Sequence, residues 1–165
     1  TYMAKIKHGF TGQRLIVLPF NVIDKALNNP LTSGLAIHSM GYFPKAENHY
    51  IDREDGCGEY LLIYCTKGEG WYCLNGERHK VPANHFFILP AEQAHQYGCG
   101  KKDPCYLYWF PFKGPMPGFV NERYPGFHLK DMVINSVLKA GIFFLEKLLP
   151  ELELGKDERW IILAI

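Results

Sequence analysis

From Tyr60 to Lys113 the chain is a succession of short β-prone runs, interrupted by the phrase Leu89-Pro90-Ala91-Glu92-Gln93-Ala94-His95. The runs Tyr60 to Thr66, Trp71 to Leu74, Arg78 to Val81, Phe86 to Leu89, Ala94 to Tyr97 and Cys105 to Phe112 carry most of its β-branched and aromatic residues. Turn formers separate them. Gly68-Glu69-Gly70 is one, and Asn75-Gly76 is another, a pair that tolerates the positive φ a two-residue hairpin requires. Short strands at this spacing predict a sandwich or a barrel.

A chain of 165 residues, 47% of them hydrophobic, has enough apolar material for one core and one folding unit. Eighteen basic residues against seventeen acidic give a net charge of +1, and no Lys or Arg run could neutralise successive phosphates, so this chain is not expected to grip DNA itself. The N-terminus lacks the apolar centre of a signal peptide and no apolar run is long enough to cross a bilayer, which predicts a cytoplasmic protein without a membrane partner. Cys57, Cys65, Cys73, Cys99 and Cys105 form an odd set with no CxxC pair. Reduced thiols are expected from that pattern in a reducing compartment.

Three regions follow one another without a low-complexity linker. Up to about Arg53, the apolar run Leu15-Ile16-Val17-Leu18 precedes Pro19 and a helix-like piece from about Asn21 to Asn29. The strand-rich region comes next. From Leu129 to Leu149 the apolar period becomes helical, through Val133, Val137, Leu138, Leu145 and Leu148, and Pro150 ends it. Ile134, Ile142, Phe143 and Phe144 widen that apolar face, so the helix is expected to have a second partner. Asp157 could cap a further helix, and the sequence stops at Ile165 within its apolar pattern, as a piece of a longer protein would. The fold expected is mainly β with C-terminal α: a barrel over residues 1–120, then one or two helices over 121–165.

The segments Gly41-Tyr42-Phe43-Pro44, Tyr50-Ile51-Asp52-Arg53, Tyr60 to Tyr72, Asn75-Gly76, Phe86 to Pro90, His95-Gln96-Tyr97-Gly98 and Tyr108-Trp109-Phe110 together resemble the effector-binding N-terminal half of AraC-type transcriptional regulators. Each motif is unspecific alone; their order and spacing carry the resemblance, over roughly Ser39 to Lys113. It implies a jelly-roll-like cupin barrel that binds a small molecule, often a sugar, a helical segment that forms a homodimer, and contact with DNA only through a C-terminal helix-turn-helix domain absent from this chain.

A metal-binding cupin supplies three histidines and a glutamate, a set suited to a divalent transition metal. Of these His95 alone has a counterpart. Leu61 occupies the glutamate position, no histidine pair lies between Cys57 and Tyr60, and Glu92 replaces the glycine of the turn before His95. No metal or cofactor is therefore expected, and the chain is read as a non-enzymatic sensor. The alternative is a metal-dependent sugar isomerase or dioxygenase. A further alternative is a dimerisation module whose barrel is filled by Phe86, Leu107, Trp109 and Tyr97.

If His95 points inward, strand alternation turns Tyr97 inward too, and an inward Trp109 brings Leu107 and Cys105 with it. The resemblance carries family sugar contacts onto Arg53, whose forked donors suit hydroxyls and ring oxygens, onto Tyr97, onto Trp109 as a stacking platform, and onto Ser39 in place of a threonine. Leu107 stands where the family has a ligand-binding histidine, which changes the hydroxyls that can be satisfied and argues against arabinose. Each residue also has an ordinary alternative: a hydrogen-bonded core histidine for His95, a surface ion pair with Asp52, Glu54 or Asp55 for Arg53, core filling for Trp109, and a loop anchor for Tyr97. Leu15 to Phe20 reads either as a plain first strand or as part of an arm that folds over bound effector.

Overall fold

The structure is a computed structural model, and it describes residues 5–115. The expected helices from Leu129 and from Asp157, and with them the 121–165 segment, lie outside the described residues. Within 5–115 the fold is mainly β, with one short helix.

Ten strands form two antiparallel sheets. The larger contains β1 (Arg14–Val17), β3 (Ser39–Phe43), β10 (Tyr106–Lys113), β5 (Tyr60–Lys67) and β8 (His85–Leu89) in that order, with β2 (Ala36–Ile37) also paired to β10. The smaller runs β4 (Tyr50–Arg53), β9 (His95–Cys99), β6 (Glu69–Leu74) and β7 (Glu77–Pro82). Each strand-like run in the sequence became a strand, with ends shifted by one or two residues. The β6–β7 hairpin turns at Asn75 and Gly76, with φ of 54° and 79°, as an Asn-Gly two-residue turn requires.

Side-chain alternation sorts the strands into an interior and a covered exterior. Leu61, Ile63 and Cys65 of β5 and Leu107 of β10 are buried between the sheets, with Phe43, Tyr72, Phe87, Leu89 and Tyr97. On the other face of the large sheet, Met40, Tyr64 and Phe110 form a second cluster beneath α1 (Phe20–Asn28), which presents Val22 to them. The helix-like piece in the sequence thus serves as a cover for the outer sheet face. Tyr64 is fully buried there, Tyr72 stacks on Phe87 at 4.6 Å between the sheets, and Trp71 packs on the outer side against Tyr50 and Arg78.

The cysteines differ from expectation. Cys99 and Cys105 form a disulfide across the β9–β10 connection, with Cα atoms 5.8 Å apart, while Cys57, Cys65 and Cys73 are free thiols. Six positions of sequence separation do not resemble a redox or metal motif, but a loop that reverses between two strands brings its ends to bridging distance. Burial pushes the Cys65 thiol up to about 11, which makes it a poor nucleophile.

Candidate functional site

A cavity of about 410 Å³ opens between the two sheets and the N-terminal segment. Four of the six residues singled out in the sequence line it: Ser39, Arg53, Tyr97 and Trp109. They arrive from β3, β4, β9 and β10, strands far apart in sequence. Register explains the convergence. Tyr97 lies opposite Ile51 and His95 opposite Arg53 across β4–β9, while Trp109 lies opposite Gly41 across β3–β10. A Cβ on Gly41 would fall on the indole of Trp109, so the absence of a side chain there lets the ring lie across the strand.

The other two residues are elsewhere. Leu107 is 3% exposed and sealed in the inter-sheet core, so the apolar residue at that position is core rather than cavity wall. His95 shares a face with Tyr97, at 6.2 Å between rings, but lines a separate hollow of about 320 Å³ near the Asn75-Gly76 turn. Its Nδ1 donates to the carbonyl of Gln93 at 2.8 Å, the bond of an ordinary core histidine, although its Nε2 has no partner. Burial holds its pKa below the usual histidine value. Arg53 makes no ion pair among the described residues, so the surface pairing expected with Asp52, Glu54 or Asp55 is not formed. Asp52 instead accepts from Tyr50 and Gln96 on the outer face, each at 2.9 Å.

The cavity also contains groups the sequence did not announce. His49 is 2% exposed, sits just before β4, and meets Phe10, Phe43 and Tyr97 edge-to-face with ring centres 5.3 to 5.7 Å away. Its backbone carbonyl accepts from Cys99 at 2.9 Å, and Gly98 has no Cβ to obstruct that approach. No motif surrounds Asn48-His49, and a histidine in a loop has no periodicity to reveal which way it faces. Glu59 lines the cavity too, held by a short hydrogen bond to His38, which is the main reason its carboxyl titrates below the usual range.

The run that begins at Leu15 takes the form of a plain first strand. Leu15 belongs to strand β1, paired antiparallel with β3, and Lys7, His8 and Gln13 before it contribute to the cavity wall. Ile6 pins that stretch through backbone bonds to Asn48 and Tyr50, each at 3.0 Å.

The electrostatics are mixed. Arg53 and Lys7 supply positive charge and Glu59 negative. Burial, partly offset by Arg53, pushes the Tyr97 phenol up to about 12, so it is a neutral hydrogen-bonding group at physiological pH. Two residues that line the cavity carry a buried polar atom, Nε2 of His49 and Nε1 of Trp109, with no hydrogen-bond partner among the described residues. Apolar walls with a few unmet polar groups suit a small polar guest. No group of three or more His, Cys, Asp or Glu side chains able to hold a metal ion occurs among the described residues. No helix there is long and apolar enough to cross a membrane.

A family model described as the AraC-like ligand binding domain matches residues 37–128. The chain is 30% identical over 101 residues to the MmsAB operon regulatory protein of Pseudomonas aeruginosa, a match covering 59% of this chain and 33% of that protein. Solved structures resemble it more loosely. The Cupin_2 domain of an XRE family transcriptional regulator from Enterobacter cloacae has a TM-score of 0.40 at 11% identity, covering 60% of this chain and 94% of that one. The protein YhaK from Escherichia coli has a TM-score of 0.45 at 13% identity, covering 64% and 46%.

Proposed function

This chain belongs to the AraC-like ligand-binding domain family, and from that premise we propose that the cavity between its sheets is the effector site of a transcription regulator. The guest is a small hydroxylated metabolite, with a sugar as the leading class. One observation carries this reading: Arg53, Tyr97, Trp109 and Ser39, drawn from four strands, converge on one cavity of about 410 Å³, within the range of small-ligand pockets. The volume counts against the barrel filled by its own side chains. A metal-dependent enzyme on this scaffold would need more ligands than His95 provides.

In this reading, Trp109 offers an apolar ring face and an N–H, Arg53 offers forked donors, and Tyr97 offers a hydroxyl that both donates and accepts. Occupancy is relayed through the 121–165 segment to a homodimer partner and to a DNA-binding domain outside this chain. Such a relay requires that effector bind the two states with different affinity.

A thermal-shift screen of monosaccharides, oligosaccharides and uronic acids tests the proposal, since a ligand specific for the native state raises its melting temperature by mass action. A hit lost in both Arg53→Ala and Trp109→Ala places the guest in this cavity. A hit indifferent to both variants would move the site elsewhere. Sedimentation of the chain over a range of concentrations tests the homodimer, and monomer throughout would count against it.

A further inference from the structure

The wall of the cavity specifies more than its size. Nδ1 of His49 lies 3.0 Å from the carbonyl oxygen of Ile6. A carbonyl can only accept, so Nδ1 carries the hydrogen. The ring is 98% buried by its 2% exposure, among Phe10, Phe43 and Tyr97, surroundings that disfavour an imidazolium. A neutral imidazole has one N–H. Nε2 is then a bare lone pair, and nothing among the described residues donates to it.

A second neighbour of Phe43 is the opposite case. The indole of Trp109 meets that ring edge-to-face at 5.8 Å, and its Nε1–H, a donor only, has no acceptor. Two residues that line the cavity therefore carry unmet polar atoms, an acceptor on His49 and a donor on Trp109, each desolvated. A buried polar group left unpaired is costly, and a guest of matching polarity recovers that cost.

We infer that His49 is a specificity-determining ligand contact: through Nε2 it accepts a hydrogen bond, and so it selects guests that place a hydroxyl O–H against His49. Ether oxygens and carboxylates can satisfy Trp109 and Arg53 but not His49, because they have no hydrogen to give. A guest with one hydroxyl group for His49 and another for Trp109 meets both demands. An acid can bind only with its carboxylate turned away from His49. This inference rests on the reading of the cavity as the effector site, and it adds an acceptor to the donors of that site.

The test needs no knowledge of the natural effector. Ethylene glycol and 1,2-dimethoxyethane are small enough to enter, both can accept, and only the diol can donate. In protein labelled with 15N-histidine and 15N-tryptophan, entry is read from the Trp109 indole N–H resonance and acceptance from His49 Nε2, assigned by its loss in His49→Gln. Expected are the Nδ1–H tautomer in the free protein, a shift at Trp109 with both probes, and an upfield shift of His49 Nε2 with the diol alone. In His49→Phe the diol should need about tenfold more concentration to move the Trp109 signal, while His49→Gln, which keeps an acceptor, should stay near wild type.

Equal Nε2 shifts with diol and diether would overturn the inference. So would an Nε2–H tautomer in the free protein, or a diol that moves Trp109 and leaves His49 unchanged. If neither probe moves Trp109, the cavity reading fails and the inference with it, whereas entry without a response at His49 sinks the inference and spares the cavity.

Discussion

Lowering the pH should destabilise this domain through His49 by an amount the structure allows one to work out. Burial lowers its pKa from 6.5 to about 4, opposed only by the bond to Ile6. Above pH 6.5 the ring is neutral in both folded and unfolded chains, and it contributes no pH dependence. Between 6.5 and 4 the unfolded chain takes up a proton that the folded chain refuses, so stability falls as pH falls, by about 1.4 kcal/mol per pH unit. Below about 4 both forms are protonated and the loss levels off, at a total of about 3 kcal/mol. His95, lowered by burial too, adds a loss of the same sign. Glu59 behaves like other carboxyls with a lowered folded pKa: its contribution is present above its unfolded value and lost as pH falls through the folded one. Both terms are common to wild type and His49→Gln, so the difference between the two proteins isolates His49. Urea denaturation at steps from pH 7.5 to 4 should give a wild-type curve that falls about 3 kcal/mol further than that of His49→Gln. Parallel curves would mean that the imidazole is not held neutral, and would remove the basis for treating Nε2 as an acceptor.

Gly41→Ala would place a Cβ on the Trp109 indole, a rigid ring that must move as a whole, and should cost about 1–3 kcal/mol while shifting tryptophan emission; unchanged stability and emission would show that the ring does not lie across this strand. Glu92 sits at φ 58°, a left-handed conformation that glycine adopts without penalty, so Glu92→Gly should raise stability by up to about 1 kcal/mol in chemical denaturation, and a loss would contradict it. The Cys99–Cys105 bridge closes a short loop and should contribute about 2 kcal/mol, lost in Cys99→Ser. Denatured wild type should titrate three thiols before reduction and five after, and five from the outset would refute the bridge.

What the sequence revealed follows from which physical signals are local. Strands and hairpins were legible because alternation and turn chemistry act within a few residues, as the Asn75-Gly76 turn illustrates. The Glu92 position is instructive in another way. Its departure from glycine suggested a different turn before His95, but the backbone there keeps the glycine-like conformation and the side chain tolerates it. Ser39, Arg53, Tyr97 and Trp109 could be placed by resemblance combined with alternation, since an inward residue on a strand fixes the facing of its neighbours two positions away. Alternation does not say how far along a strand the hollow extends, which is why Leu107 and His95 face inward yet miss the main cavity. The disulfide and His49 depend on loops, whose path is set by tertiary packing, and neither has a periodic signal to read.

The imidazole of the cavity comes from a different sheet than the position at which the resemblance places the family's ligand-binding histidine. Position 107 on β10 holds a leucine sealed in the core, while His49 brings a ring to the cavity from the start of β4. The difference has a mechanical consequence, because His49 also bonds Ile6, which anchors the stretch bearing Lys7 and His8. A guest donating to Nε2 polarises the ring and strengthens its Nδ1–H bond to Ile6, but cooperative strengthening of that kind is on the order of 10–30% of one bond. Since such a bond is worth about 1 kcal/mol net, the relay supplies only a few tenths of a kcal/mol. Reversing a two-state population needs on the order of 5 kcal/mol of differential binding. His49 can therefore set which guest fits, but any ordering of the N-terminal stretch by that guest must come chiefly from direct contacts with Lys7, His8 and Gln13, the residues that stretch contributes to the wall.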